Sequence, residues 1–134
     1  MRASSILIAG TAILLAALPA AAARPSPQQR LDTLLEGRVA GDPVNCINLR
    51  DIRSSEIIDG TAIVYRTGAN RLYVNRPTGG ERQLDDSDIL VTNTYSPQLC
   101  SIDIVRLLDR TSRFETGFVS LGKFVPYVRP KTAR

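Results

Sequence analysis

Histidine is absent from this chain, and its absence removes more chemistry than any other feature of the composition. Without an imidazole there is no Ser-His-Asp or Cys-His triad, and the most common general base is missing. Most zinc sites are also disfavoured. Tryptophan is absent too, and Lys123 and Lys131 are the only lysines. No glycine-rich phosphate loop precedes a helix. We therefore expect no cofactor and no metal.

Cysteine is scarce, since Cys46 and Cys100 are the only two. An even pair in a small domain of an oxidising compartment is typical of a disulfide. The bond would close a loop of 55 residues, positions 46 to 100 inclusive, for which loop entropy gives about 4 kcal/mol. Two free structural thiols are the alternative. A disulfide would leave no thiolate nucleophile.

The first 23 residues have the order of a secretory signal peptide. Arg2 is followed by an uncharged apolar run, Ile6 to Leu18, and then by Pro19 and alanines 20–23. The run has 13 residues, too few to cross about 30 Å of hydrocarbon as a helix. We predict cleavage after residue 23, no stable membrane span afterwards, and a periplasmic or secreted location.

The charge after the leader is weakly basic and nearly all of its cations are arginines. These arginines are spread along the chain, whereas nucleic-acid binding needs a clustered basic stripe and usually stacking aromatics. No nucleic-acid partner is therefore predicted. The 111 residues that would remain after cleavage (134 less 23) correspond to one small domain.

A short helix is predicted directly after the leader. Ser26 is suited to the N-cap, Pro27 to the first helical position and Gln29 to a capping box. The helix would run from Pro27 to about Glu36, and it is too short to be stable unless it docks on the rest of the protein. The predicted organisation is a signal peptide (1–23), a short helix and linker (24–43), a single β-rich domain (44–127) and a flexible tail (128–134).

Three β-rich segments around two turns predict an antiparallel meander. Ile52–Ile58 and Thr61–Arg66 flank Asp59-Gly60, which is typical of a two-residue type I′ hairpin. A third strand, Arg71–Asn75, follows a loop at residues 67–70.

The two turns, taken literally, fix the register of this meander. Ile58 would lie opposite Thr61, and Tyr65 opposite Leu72. Glu56 would be a misfit on the core face. A slip of one residue would exchange the two faces, so the turn decides which side chains reach the core. That predicted core face contains Ile52, Ile58, Ile63, Tyr65, Leu72 and Val74.

The opposite face would carry Arg53, Arg66 and Arg71 in one row across three strands. Like charges directly opposite one another are destabilising, so we expect an acidic side chain or a bound anion to compensate. Guanidinium groups suit bidentate capture of carboxylate or phosphate, which makes the row a speculative anion-binding site. The alternative is solvated arginines whose stems cover Val64 and Tyr73. The candidate compensating acids are Asp51, Asp103 and Glu115.

The later segments extend the meander. Residues 83–88 contain three acids in four positions but lack the Gly and Glu of an EF-hand, so we predict a solvated acidic turn. A short apolar run at 89–91 and strands at Cys100–Leu108 and Phe118–Leu121 follow. The predicted fold is mainly β: an antiparallel meander extended to a small twisted sheet or partial barrel of about five to six strands, with one short N-terminal helix.

Three segments in order carry a family resemblance: Cys46–Arg53, Leu99–Ile104 and Ser120–Pro126. With the hairpin between the first two, they resemble a family of small exported bacterial proteins classed as a domain of unknown function. The resemblance covers most of the chain after the leader. It implies export and the β architecture, and it implies no activity.

One departure from that family bears on the disulfide. Relatives often carry two further cysteines, one after the third strand and one just before the Ser-Leu-Gly segment. This chain has none near residues 80–83, and Val119 stands in the second place. The paired loss implies that those two bond each other in relatives, which leaves Cys46 with Cys100.

These observations favour a non-catalytic binding or interaction module for an envelope partner or anionic ligand, by analogy with other small exported β domains. One alternative is a carboxylate-dependent hydrolase, for which Asp103, Asp109 and Glu115 are the available acids. Another is an inhibitor of a second enzyme, acting through the polar loop Asp109–Gly117.

Overall fold

The computed structural model describes residues 20–131. Over these residues the protein is an open, mainly β structure with one α-helix. The predicted signal peptide lies almost wholly outside these residues. Within them, no helix is long and apolar enough to cross a membrane. The elements are α1 (Pro27–Leu35), β1 (Val39–Ala40), β2 (Cys46–Asn48), β3 (Ile52–Ile58), β4 (Ala62–Thr67), β5 (Leu72–Asn75), β6 (Asp88–Thr92), β7 (Gln98–Cys100), β8 (Ile104–Asp109), β9 (Glu115–Ser120) and β10 (Phe124–Val128).

The strands form three antiparallel sheets, with orders β1-β10-β5-β4-β3, β2-β7 and β6-β8-β9. This confirms the predicted mainly β fold with one short helix, although the sheets do not close into a barrel. The strands are also shorter and more numerous than predicted. One cause is a turn at residues 101–103, where the Asp103 carboxylate accepts the Cys100 N–H at 2.7 Å. This turn divides the strand predicted at Cys100–Leu108 into β7 and β8.

The predicted register of the meander was wrong by one residue. Ile58 pairs with Ala62, and not with Thr61, so three residues occupy the turn. Gly60 has a φ of 57°, whereas a type I′ turn needs positive φ at both central residues. Positive φ at the second position alone is the pattern of a type II turn. The Thr61 N–H closes this turn on the Ile58 carbonyl at 3.0 Å.

The second turn adds another one-residue shift, because Tyr65 pairs with Tyr73 and not with Leu72. The side chains predicted on one core face therefore belong to two clusters on opposite faces of the sheet. One cluster faces the other two sheets and includes Ile57, Ile63, Tyr65, Leu99, Leu107, Val119 and Phe124. The other contains Leu31, Ile58, Ala62, Val64, Leu72 and Val74.

Helix α1 covers the second of these clusters. Ser26 and Gln29 form the predicted capping box, and Leu31 is fully buried against the sheet. Glu56, the misfit of the predicted core face, lies beside the helix. Its carboxylate accepts a hydrogen bond from Arg30 at 2.9 Å. Glu56 therefore anchors the helix to β3.

The segment after Tyr127 was predicted to be a tail, but β10 continues to Val128 and lies between β1 and β5. Pro126 is compatible with this interior position. Its carbonyl accepts the Gly41 N–H at 2.7 Å, and the N and O of one residue in an antiparallel ladder point to the same side. The N–H that proline lacks is therefore not needed for the ladder with β5.

The side chain of Asn75 holds in place the segment that leads into β10. It is fully buried, its amide nitrogen donates to the Gly122 carbonyl at 2.7 Å, and its amide oxygen accepts the Gly122 N–H at 2.9 Å. A Cβ on Gly122 would lie 2.3 Å from the Arg76 carbonyl oxygen. The Ser-Leu-Gly segment therefore passes so close to β5 that only glycine fits there.

The disulfide is present and joins β2 to β7. Cys46 and Cys100 are direct partners in the antiparallel pair, which also matches Ile47 with Leu99 and Asn48 with Gln98. Ile47 and Leu99 are buried in the cluster between the sheets. The bond thus secures a two-stranded unit of only three residues a side, which alone is marginal.

The substitution Asn75→Ala should destabilise the protein by about 3 kcal/mol. It leaves both backbone groups of Gly122 buried without partners, and each unsatisfied group costs about 1–3 kcal/mol. The check is urea unfolding of the disulfide-intact protein. Asn45→Ala is the control, since Asn45 is exposed and its loss should cost less than about 0.5 kcal/mol. Equal stability of the two variants would contradict the role given to Asn75.

Candidate functional site

A surface cleft of about 440 Å³ opens where β2 and β7 meet the end of the meander. We call it the arginine cleft, because two of the three predicted site arginines line it. Arg53 comes from β3, and Arg71 stands just before β5. The other lining residues are Cys46, Ile47, Asn48, Asp51, Thr67, Gly68, Tyr73 and Gln98.

Irregular backbone at the two strand ends brings these arginines to one cleft. The register of β3 against β4 shifts between Ile52 and Ser54, which places Arg53 at a bulge. Bulges commonly redirect a side chain next to a functional site. Asn70 has a φ of 59° at the end of the loop that leads into Arg71.

The two guanidinium groups in the cleft have no acidic partner. Among residues 20–131, no carboxylate oxygen lies within 4.0 Å of a nitrogen of Arg53 or Arg71. Arg71 donates to the Tyr73 hydroxyl at 3.3 Å. Asp51, a predicted compensating acid, lines the cleft but accepts only a long bond from the Asn48 amide, at 3.4 Å. Both guanidiniums can therefore bind an external anion.

Arg66 does not belong to this group, so the predicted row of three arginines was wrong. The one-residue change of register puts Arg66 opposite Ser54 and Leu72, on the face that carries α1. Its guanidinium lies 3.8 Å from the Glu56 carboxylate. The strand ladder thus separates Arg66 from the other two and places it beside Glu56, which Arg30 also binds.

Two amide side chains in the cleft were missed in the sequence. Asn48 and Gln98 are direct cross-strand partners, and the Gln98 amide lies 3.4 Å from the Asn48 oxygen. A signal for them existed. If Cys46 and Cys100 are opposite each other in an antiparallel pair, the residues two positions inward lie opposite each other and on the same face.

The acids of the hydrolase alternative are separated along β8 or held in local contacts. Asp103 and Asp109 bound β8, and its rise puts their backbones about 20 Å apart, whereas glycosidase carboxylates lie about 5–10 Å apart. Glu115 forms an ion pair with Arg106 at 3.2 Å. Each acid is engaged locally: Asp103 by the Cys100 N–H and Asp109 by Ser112.

The loop from Asp109 is tightly hydrogen-bonded. The Asp109 carboxylate accepts the Ser112 N–H at 2.6 Å, the Ser112 hydroxyl at 2.9 Å and the Thr111 N–H at 3.0 Å. The bonds from Ser112, followed by that from Thr111, lower the pKa of Asp109 below its ordinary value. The carboxylate is therefore ionised at neutral pH and is not suited to act as a general acid.

A second acidic group gathers around the predicted solvated turn. Carboxylate oxygens of Asp59, Asp85 and Asp86 lie within 4.8 Å of one another on the exposed surface. Hydrogen bonds from Ser87 lower the pKa of Asp85. Asp86 binds Arg30 at 2.7 Å, and its own N–H donates to Asp59 at 2.7 Å. Each acid thus has a partner within the protein, and the group ties the turn to α1 and to the hairpin.

Comparisons of the chain with protein-family models, curated proteins and solved structures found no match. The family resemblance stated above therefore stays a prediction. The geometry of the arginine cleft is the basis on which a function can be inferred.

The variant Ser112→Ala should raise the pKa of Asp109 toward its ordinary value, because it removes the hydroxyl donor. Carboxyl ¹³C chemical shifts followed against pH measure this directly. A carboxyl whose pKa is lowered by folding stabilises the protein above its ordinary pKa, and this contribution is lost as the pH falls through the folded value.

Ser87→Ala is the matched control for that titration. It removes the equivalent hydroxyl bond from Asp85, so it should raise the pKa of Asp85 and leave Asp109 unchanged. An Asp109 carboxyl that titrates at or above its ordinary pKa in the unaltered protein would contradict the described hydrogen bonds.

Proposed function

We propose that this protein is an exported, non-catalytic binding module whose arginine cleft captures the oxyanion group of an anionic ligand or envelope partner. The observation that carries this is the pair Arg53 and Arg71, two guanidiniums that share a cleft and have no carboxylate within 4.0 Å among the described residues. Guanidinium forks match the planar oxygens of carboxylate and phosphate in bidentate fashion.

The rest of the lining suits a ligand with more than a charge. Asn48 and Gln98 offer amide donors and acceptors, and Tyr73 offers an aromatic surface with a hydroxyl. The Asp51 carboxylate in this lining would repel a second negative group of the ligand and favour a hydroxyl or ammonium group near it. A ligand that combines one oxyanion with neighbouring hydroxyls, such as an acidic sugar, matches this lining.

Export is supported by the leader pattern and by the disulfide. A Cys46–Cys100 bond persists in an oxidising space such as the periplasm and is rare in the reducing cytosol. An extracytoplasmic binding module in such a space would meet anionic envelope components directly. The same disulfide borders the arginine cleft through Cys46, so oxidation also holds the strands that supply the two amides.

Export can be tested by expressing all 134 residues in a bacterium and measuring the intact mass of the product in each cell fraction. We expect residues 24–134 in the periplasmic or secreted fraction, with the two cysteines oxidised. Leu14→Arg interrupts the apolar run and should keep the chain uncut inside the cell. An uncut, thiol-reduced product in the cytosol of cells that express the unaltered chain would contradict the proposal.

Ligand capture can be tested with inorganic phosphate and with digalacturonate, a sugar acid, as separate probes in isothermal titration calorimetry and thermal unfolding. A ligand that binds only the folded protein raises its melting temperature. Arg53→Gln and Arg71→Gln should each weaken binding by about tenfold or more, since a charge-assisted hydrogen bond contributes about 1.5–3 kcal/mol.

Arg66→Gln is the matched control for this experiment. It removes the same charge from the same sheet, but on the opposite face, so affinity should stay within about twofold of the unaltered protein. Tighter binding of digalacturonate than of phosphate would identify the carboxylate as the preferred group. Equal effects of all three substitutions, or no saturable binding of either probe, would overturn the arginine cleft as a ligand site.

A further inference from the structure

Two strand edges that border a second cleft are left without a partner. Strand β3 is an edge strand of the five-stranded sheet, and β6 is an edge strand of the three-stranded sheet. Within residues 20–131, no strand pairs with the outer edge of either one. An unpaired edge presents a row of backbone N–H and C=O groups that can accept another strand.

Both edges border one cleft of about 420 Å³, which we call the edge cleft. Its lining includes Ser55–Ile57 from β3 and Asp88–Leu90 from β6. Side chains alternate between the two faces of a strand, so a sheet face would contribute every second residue. Three consecutive residues from each strand mean that the backbone edges themselves line the cleft, over a length of about 10 Å on each side.

The chain covers the other edge of the same three-stranded sheet. The Phe118 N–H on β9 donates to the Gln83 side chain at 3.3 Å, and Gly79 bridges to Ser120. The Gln83 side chain also fills the space above Gly117. The molecule thus protects β9 with its own residues, whereas β6 faces β3 across open space.

The carboxylates of the edge cleft are unequally partnered. Three carboxylates line it with the two guanidiniums of Arg30 and Arg110, and Arg66, which lies outside the lining, is 3.8 Å from Glu56. Arg30 is shared by Glu56 and Asp86, at 2.9 Å and 2.7 Å. Arg110 reaches only the backbone carbonyl of Asp88, at 3.4 Å.

Asp88 is the carboxylate of this cleft that has no cationic partner among residues 20–131. It is 5% exposed, and its side chain accepts from the Thr116 hydroxyl. No cationic nitrogen of residues 20–131 lies within 4.0 Å of it. Burial of a carboxylate without a cation is unfavourable, so a cationic group that enters the cleft would gain an electrostatic partner there.

We propose that the edge cleft binds an extended peptide segment of a partner protein, which pairs through its backbone with β3 or β6 and places a basic side chain against Asp88. Recognition by strand addition uses main-chain hydrogen bonds for affinity and alternate side chains for specificity. This site is separate from the arginine cleft and shares no lining residue with it.

The test uses the hexapeptide acetyl-Thr-Val-Lys-Val-Thr-Val-amide and follows the protein's backbone amides by NMR. Saturable shifts should appear at both Ser55–Ile57 and Asp88–Leu90, and the paired amides should exchange more slowly with solvent. The same peptide with N-methyl groups at alternate residues cannot complete a ladder and should not bind. Replacement of its Lys by Glu should weaken binding by about fivefold or more.

Two protein variants test the charge argument in opposite directions. Asp88→Asn keeps an acceptor for Thr116 and should weaken binding of the Lys peptide. Arg110→Gln removes an exposed like charge and should strengthen it, which keeps the proposal testable even if Asp88→Asn does not fold. Absence of saturable shifts up to about 2 mM peptide, equal binding of the N-methylated peptide, or shifts confined to other strands would overturn the proposal.

Discussion

Strand β4 is buried on both of its faces, and the other elements are arranged around this constraint. Ala62 and Val64 pack under helix α1, whereas Ile63 and Tyr65 pack toward the other two sheets. A fully buried aliphatic side chain contributes about 1.5–3 kcal/mol, so neither face of the central sheet can be left to water. The helix is therefore part of the core, and the short sheets must cover the opposite side.

The same constraint explains which parts of the fold could be predicted. Helix α1 follows from local chemistry, since the Ser26 and Gln29 bonds and the proline are set within four residues. The register of the meander was missed because it depends on whether the turn holds two or three residues. A strand that is apolar on both faces gives no alternation with which to correct that choice. Strand β10 was not predicted, and it contains Pro126, a residue type that is disfavoured in a strand with two neighbours.

Prediction of the site reached only as far as local sequence allowed. Arg53 and Arg71 were identified with Arg66 as a row on one face of the predicted meander, and these two do share a cleft. Arg66 was placed with them only through the incorrect register. Asn48 and Gln98 come from segments 50 residues apart, and the β2–β7 pair that the disulfide links brings them together. A covalent link between two strands is thus also information about which side chains lie near it.

Strand β10, the last strand among residues 20–131, occupies an interior position in the largest sheet, between β1 and β5. Complete assembly of that sheet therefore requires residues 124–128, which are synthesised after its other strands. Until then the edge of β5 that pairs with β10 is open, and Phe124 is missing from the core cluster between the sheets. Contacts between such distant segments form slowly. A chain that stops short of residue 124 would therefore carry an incomplete central sheet, with β5 unpaired on one side.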